Sequence, residues 1–202
     1  MRGLYLVTPD WDDTDRLLDA TRRALEGGAA LVQYRHKTAA DALRAEQAGA
    51  LLALCRRHAR QLVINDHLDL CLQLDADGVH VGGLDASVAQ VRAALGPGRI
   101  VGASCYGQFA LAEAAQAAGA SYVAFGGFYP SRVKVYDVST PADIVARAKA
   151  ALRVPVVVIG GMTVENARPL VGHGADMVAA ISSVYGAEEP YEAARAFAGL
   201  FT

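Results

Sequence analysis

Five consecutive residues, Gln33-Tyr34-Arg35-His36-Lys37, concentrate hydrogen-bonding chemistry directly after the apolar pair Leu31-Val32. Read as the tip of a strand, they send Gln33, Arg35 and Lys37 to one face and Tyr34 and His36 to the other, because side chains alternate with a period of two. Three long donors then share a side. Two are cationic, and a guanidinium grips phosphate or carboxylate oxygens in pairs, so this face suits a diphosphate or a carboxylate. The plainer reading is that Arg35 and Lys37 are solvated once the strand ends.

Asn65-Asp66 follows a second apolar run ending at Ile64, and Asp85 follows a third ending at Val81, after the turn Gly82-Gly83-Leu84. Neighbouring strands would bring the two carboxylates together. Such a pair suits Mg²⁺, which keeps several waters and completes its shell with substrate phosphate oxygens. Helix capping explains either acid as well, since each precedes an apolar run and Ser87 competes with Asp85 for its cap.

Further polar residues also fall at the ends of apolar runs. Ser104 closes the run Ile100-Val101-Gly102-Ala103, where its hydroxyl suits either a phosphate oxygen or a helix entry. From Gly126 to Pro141 the chain has a long loop containing Ser131-Arg132-Val133-Lys134, the kind of segment that acts as a lid. Lys134 in that loop is either an ordinary solvated lysine or a cation that neutralises departing charge. Gly160-Gly161 and Ile181-Ser182-Ser183 end two later runs, where main-chain amides and hydroxyls can cup a phosphate.

The histidines say less. His58 and His173 read as surface residues and His67 as a neighbour of the mouth, while His80, inside Gly78-Val79-His80-Val81, reads as a hydrogen-bonded interior residue rather than a base. Their spacing does not suggest zinc. Cys55, Cys71 and Cys105 are odd in number and widely spaced, so they read as small buried hydrophobes rather than disulfide partners.

The elements that must position these residues are short apolar runs at 3–7, 31–35, 62–64, 78–81, 100–104, 122–125, 156–159 and 177–181. Between them lie helical patterns at 14–26, 40–57, 88–95, 111–118, 142–152 and 164–171, with a last one near 191–200. Strand and helix alternating in this way predicts a parallel sheet covered by crossover helices. Eight units predict one closed (β/α)₈ barrel domain over residues 1–202, with a doubly wound open sheet as the alternative. A barrel gathers the loop after every strand at one mouth. An open sheet gathers only those at its switch point.

Composition sets the outer limits. With 53% hydrophobic residues in 202, the chain can bury a substantial core and is too apolar to be disordered. Nineteen basic against 21 acidic residues provide no broad positive field for nucleic acid or an anionic membrane, so a bound anion must be held locally. No stretch approaches the roughly 20 apolar residues of a membrane span, and a cytoplasmic protein acting on small molecules is expected. Self-association is left open.

Taken together, these motifs resemble the thiamine-phosphate synthase family over nearly the whole chain. The resemblance rests on Gly3-Leu4-Tyr5-Leu6-Val7-Thr8, the Gln33 to Lys37 run, Ile64-Asn65-Asp66, Asp77 to Gly82 with Asp85, and Val101 to Ser104. Tyr129-Pro130-Ser131 with Lys134, Ile159-Gly160-Gly161 and Ala180-Ile181-Ser182 complete it. It implies a (β/α)₈ barrel that joins 4-amino-2-methyl-5-(diphosphomethyl)pyrimidine to a thiazole phosphate, releasing diphosphate with the help of Mg²⁺. On that resemblance Gln33, Arg35, Lys37, Asn65, Ser104 and Lys134 hold the pyrimidine diphosphate, with Arg35 and Lys134 acting in catalysis, and Asp66 and Asp85 hold the metal. Ser131, Arg132 and Val133, with Gly161, Ile181 and Ser182, take the thiazole phosphate. Two positions depart from the family pattern: Val133 replaces a hydroxyl of its Thr-x-Thr-Lys run, and Gly83-Leu84 replaces Gln-Glu before the second acid. The competing readings are a related thiazole tautomerase and a phosphate-binding barrel without turnover.

Overall fold

Each apolar run becomes a strand because a parallel sheet is covered on both faces and leaves little room for polar side chains. The structure is a computed structural model that describes residues 1–82, 87–130 and 140–202. Its strands are β1 (Gly3–Val7), β2 (Leu31–Tyr34), β3 (Gln61–Asn65), β4 (Gly78–Val81), β5 (Ile100–Tyr106), β6 (Tyr122–Gly126), β7 (Val156–Ile159) and β8 (Met177–Ala180). Every strand pairs in parallel with its sequence neighbours, and β8 returns to β1, with Tyr5 opposite Ala179. That last pairing closes the barrel and excludes the open sheet.

The helices between strands are α1 (Thr14–Glu26), α2 (Asp41–Arg57), α3 (Leu68–Leu74), α4 (Val88–Leu95), α5 (Phe109–Ala117), α6 (Asp143–Ala151), α7 (Val164–Gly172), α8 (Ser182–Tyr185) and α9 (Pro190–Ala198). α3 and α8 do not emerge from periodicity, being too short to repeat an apolar face. Among the described residues no helix is long and apolar enough to cross a membrane.

Strand alternation divides the core in two. Leu4, Leu6, Val32, Ile64, Val79 and Val178 point outward against the helices, while Tyr5, Leu31, Val63, Tyr122, Val157 and Met177 fill the barrel interior. Cys55, Cys71 and Cys105 are buried free thiols, and burial pushes them up to about 12, 11 and 12, so they behave as the small hydrophobes expected.

The strand ends differ from expectation where the mouth is built. β2 stops at Tyr34, yet Thr8 clamps the next residue from both sides: its Oγ1 accepts from the Arg35 N–H at 2.7 Å and donates to the Arg35 carbonyl at 2.8 Å. β5 continues to Tyr106 through a register shift between Ser104 and Tyr106, and Tyr106 takes a left-handed φ of 51°. β8 ends early because Ile181 turns out of the ladder to start α8.

Caps hold the helix entries. Ser87 forms a reciprocal box with Gln90 at the start of α4, accepting its N–H at 3.2 Å. The capping role open to Asp85 is therefore filled by Ser87. Replacing Ser87 by alanine is expected to cost about 1 kcal/mol of stability, measured by denaturant unfolding, without moving the barrel strands.

Candidate active site at the barrel mouth

A cavity of about 340 Å³ opens at the C-terminal ends of the strands, and Gln33, Arg35, Lys37, Asn65, Asp66 and Ser104 all line it. β2, β3 and β5 supply these residues, or the turns directly after those strands do. The alternation argued for the run holds for Gln33 and Arg35 against Tyr34 and His36, which face a small neighbouring cavity toward α2, while Lys37 at the tip lines both. Burial pushes the Tyr34 hydroxyl up to about 12, where it hydrogen-bonds Gln47 at 3.0 Å.

Electrostatics at the rim come from paired charges. The Arg35 guanidinium donates to both Asp10 carboxylate oxygens at 3.1 and 3.2 Å, and the Lys37 N–H donates to the same carboxylate at 2.9 Å. His36 pairs with Asp12 at 3.1 Å on the other side of the strand tip. Neither Asp10 nor Asp12 was singled out by motif, because each sits more than 20 residues from the group it orients.

Asp66 lies at the centre of the rim. Its Oδ2 accepts from Lys37 Nζ and from Asn65 Nδ2, each at 2.6 Å. Its φ of 62° is left-handed, a conformation that aspartate tolerates better than most residues. It does not cap α3; His67 holds the N-cap position there, without a side-chain cap bond. A hard carboxylate already ringed by an ammonium and an amide is a chemically fitting ligand for Mg²⁺, which needs only one or two protein carboxylates. Among the described residues no group of three or more His, Cys, Asp or Glu side chains could hold a metal by itself.

Beneath the rim the interior carries polar side chains. Gln33 Nε2 donates to the Tyr5 hydroxyl at 2.6 Å, Tyr5 and Tyr122 hydroxyls bond at 2.6 Å, Tyr122 meets His80 Nδ1 at 2.8 Å, and His80 Nε2 meets Ser104 Oγ at 2.8 Å. His80 is the hydrogen-bonded interior residue expected. Burial raises both tyrosine hydroxyls well above the ordinary phenol range, so they remain protonated.

On the far side of the mouth Gly160 and Ile181 line the cavity. Gly161 and Ser182 follow them in the chain but are not part of the lining. Gly161 has a φ of 61°, and a Cβ there would collide with the Pro130 carbonyl, so glycine is required to let the two turns meet. Asp85, Ser131, Arg132, Val133 and Lys134 lie outside the described residues. Sequence reasoning missed Tyr5 and Tyr106 in the cavity lining, and Tyr122 behind Tyr5; Tyr5 and Tyr122 look like ordinary apolar strand residues until the barrel closes.

Comparison with known proteins agrees with this geometry. The family model for thiamine monophosphate synthase matches residues 4–184. A thiamine-phosphate synthase of Janthinobacterium sp. is 65% identical over 201 residues, covering 100% of this chain and 97% of that protein. One from Nitrosomonas eutropha is 45% identical, covering 98% of this chain and 94% of its own length. The solved thiamine phosphate pyrophosphorylase of Pyrococcus furiosus superimposes with a TM-score of 0.85 at 31% identity, over 98% of this chain and 94% of that one.

Proposed function

This chain belongs to the thiamine monophosphate synthase family and is a transferase of thiamine biosynthesis, and from that premise we propose how its mouth carries out the transfer. The substrates are the diphosphomethyl aminopyrimidine and a thiazole phosphate, and the products are thiamine phosphate and diphosphate. The observation that carries this reading is the convergence of Gln33, Arg35, Lys37, Asn65, Asp66 and Ser104 on one cavity.

Arg35 and Lys37 bind the diphosphate oxygens, with Asn65 and Ser104 donating beside them. Lys37 Nζ contacts Asp66 at 2.6 Å, and an ammonium with three donors can serve that carboxylate and a phosphate oxygen together. Asp66, with Asp85, would hold Mg²⁺, which would offset the charge that builds on the leaving diphosphate. Departure of diphosphate leaves a methylene cation stabilised by the electron-rich aminopyrimidine, and the thiazole nitrogen captures it. No protein nucleophile takes part. Lys134 supplies a further positive charge to the departing diphosphate. Ser131, Arg132 and Val133, with the Gly161 and Ile181-Ser182 turns, seat the thiazole phosphate. Arg132 supplies the charge that compensates for the hydroxyl absent at Val133.

One domain over residues 1–202 is supported by the β1–β8 pairing, which ties both ends of the chain into one barrel. Small ionic substrates and three buried thiols support a cytoplasmic setting.

Purified protein given both substrates and Mg²⁺ is expected to form thiamine phosphate and release diphosphate, with turnover lost on chelation. Thiazole isomerisation alone would favour the tautomerase reading. Tight binding of thiazole phosphate without diphosphate release under any metal condition would favour a barrel without turnover.

A further inference from the structure

Barrel interiors of this kind are normally filled by layers of branched apolar side chains, and burying a polar group costs free energy unless it is hydrogen-bonded. Here five polar side chains cross the interior instead. Gln33 and Ser104 stand at the two ends of the chain of bonds, on opposite sides of the mouth, and Tyr5, Tyr122 and His80 link them. The packing is built around this arrangement. The His80 and Tyr122 rings stack with centroids 5.6 Å apart, and Tyr5 meets Tyr122 edge-on at 5.7 Å. Gly102 leaves the space they need: a Cβ there would strike the Tyr122 hydroxyl and sit 2.7 Å from His80 Nδ1.

The direction of such a chain follows from counting protons. An amide nitrogen only donates, so Tyr5 accepts from Gln33 and gives its single proton to Tyr122. Tyr122 then gives its own proton to His80 Nδ1. A neutral imidazole that accepts at Nδ1 carries its proton on Nε2, which donates to Ser104 Oγ. The Ser104 proton is left to point elsewhere. An imidazolium would reverse the Tyr122 contact, leaving Tyr5 to accept twice with its own proton unplaced in a buried site.

We infer that His80 is a positioning residue for the transfer reaction: held as the Nε2–H tautomer, it turns the Ser104 proton toward the mouth, so that Gln33 offers an acceptor and Ser104 a donor to the bound pyrimidine diphosphate. Gln33 gives one of its two amide protons to Tyr5, and with the amide nitrogen held on that side its carbonyl oxygen is the acceptor turned to the ligand. The two ends of the relay therefore complement each other, an acceptor at Gln33 and a donor at Ser104, through the bonds that Tyr5, Tyr122 and His80 make between them. This inference rests on the reading of the mouth as the pyrimidine diphosphate site.

Nitrogen NMR of histidine-labelled protein tests the relay without any assay of activity. His80, identified by the signal lost in His80→Gln, is expected to show a pyridine-type Nδ1 and a pyrrole-type Nε2; the opposite assignment overturns the inference. Tyr122→Phe keeps the ring and removes only the linking hydroxyl. It is expected to raise KM for the pyrimidine diphosphate about 10-fold while leaving KM for the thiazole phosphate unchanged. In that background Ser104→Ala should cost no more than about 2-fold further, although it costs about 10-fold in the parent, because the two act as one unit. Independent, multiplicative losses would overturn the relay. Parent protein that forms no thiamine phosphate at all would count against the functional reading, while the NMR result would still decide the tautomer.

Discussion

Replacing Asp66 by asparagine is expected to lower kcat about 10³-fold at saturating substrate, roughly 4 kcal/mol of transition-state stabilisation, with KM for the pyrimidine diphosphate no higher than in the parent. The sign of the KM effect follows from geometry. Lys37 Nζ lies 2.6 Å from the Asp66 carboxylate, so removing that charge gives the ammonium wholly to the diphosphate, which offsets the loss of a metal contact to substrate. What is lost is charge neutralisation as the leaving group departs, and that appears in kcat. Asparagine is the right replacement because φ is 62° at this position, a conformation that costs most other side chains about 1–2 kcal/mol. Thermal denaturation should therefore change little, since the Lys37 partner is half exposed and its ion pair contributes little to stability. Raising Mg²⁺ should restore part of the rate. Parent-like turnover with a parent-like Mg²⁺ titration would remove Asp66 from the metal site.

All eight strands were legible in the sequence because a strand covered on both faces is a contiguous apolar run, and the closed barrel follows from the number of units. Legibility stopped where structure depends on distant partners. The turn of seven residues at α3 follows Asp66 too closely to show a helical period, and the register shift at Ser104 arises from pairing with β6. Within the site, Gln33, Arg35, Lys37, Asn65, Asp66 and Ser104 could be placed because each is a polar residue at the end of an apolar run. Tyr5 and Tyr122 could not, since their hydroxyls meet across 117 residues of chain and nothing local distinguishes them from core aromatics. Asp10 is hidden for a similar reason: its partner Arg35 lies 25 residues away, just past the end of the next strand.

That Asp10 pair shapes the second large effect, at Arg35. Arg35→Ala is expected to lower kcat/KM for the pyrimidine diphosphate about 10³-fold, because a forked guanidinium makes two charge-assisted bonds to phosphate oxygens, each contributing about 1.5–3 kcal/mol. KM for the thiazole phosphate should not change. Thr8 fixes the main chain of residue 35 on both its N–H and its carbonyl, so truncating the side chain leaves the strand tip in place. Arg35→Lys separates charge from shape: lysine keeps the cation and loses the fork, and an intermediate loss of about 30-fold is expected. Alanine also strips Asp10 of its guanidinium partner, leaving a carboxylate beside a mouth that must accept a diphosphate. Part of the defect is then repulsion, so adding Asp10→Ala to Arg35→Ala should recover about 5-fold in kcat/KM. In the parent the same change should cost activity, since Asp10 there orients the fork and accepts the Lys37 N–H at 2.9 Å. Opposite signs for one substitution in two backgrounds are what an orienting ion pair produces. If Asp10→Ala had the same sign in both, Arg35 would reach the substrate without help from Asp10.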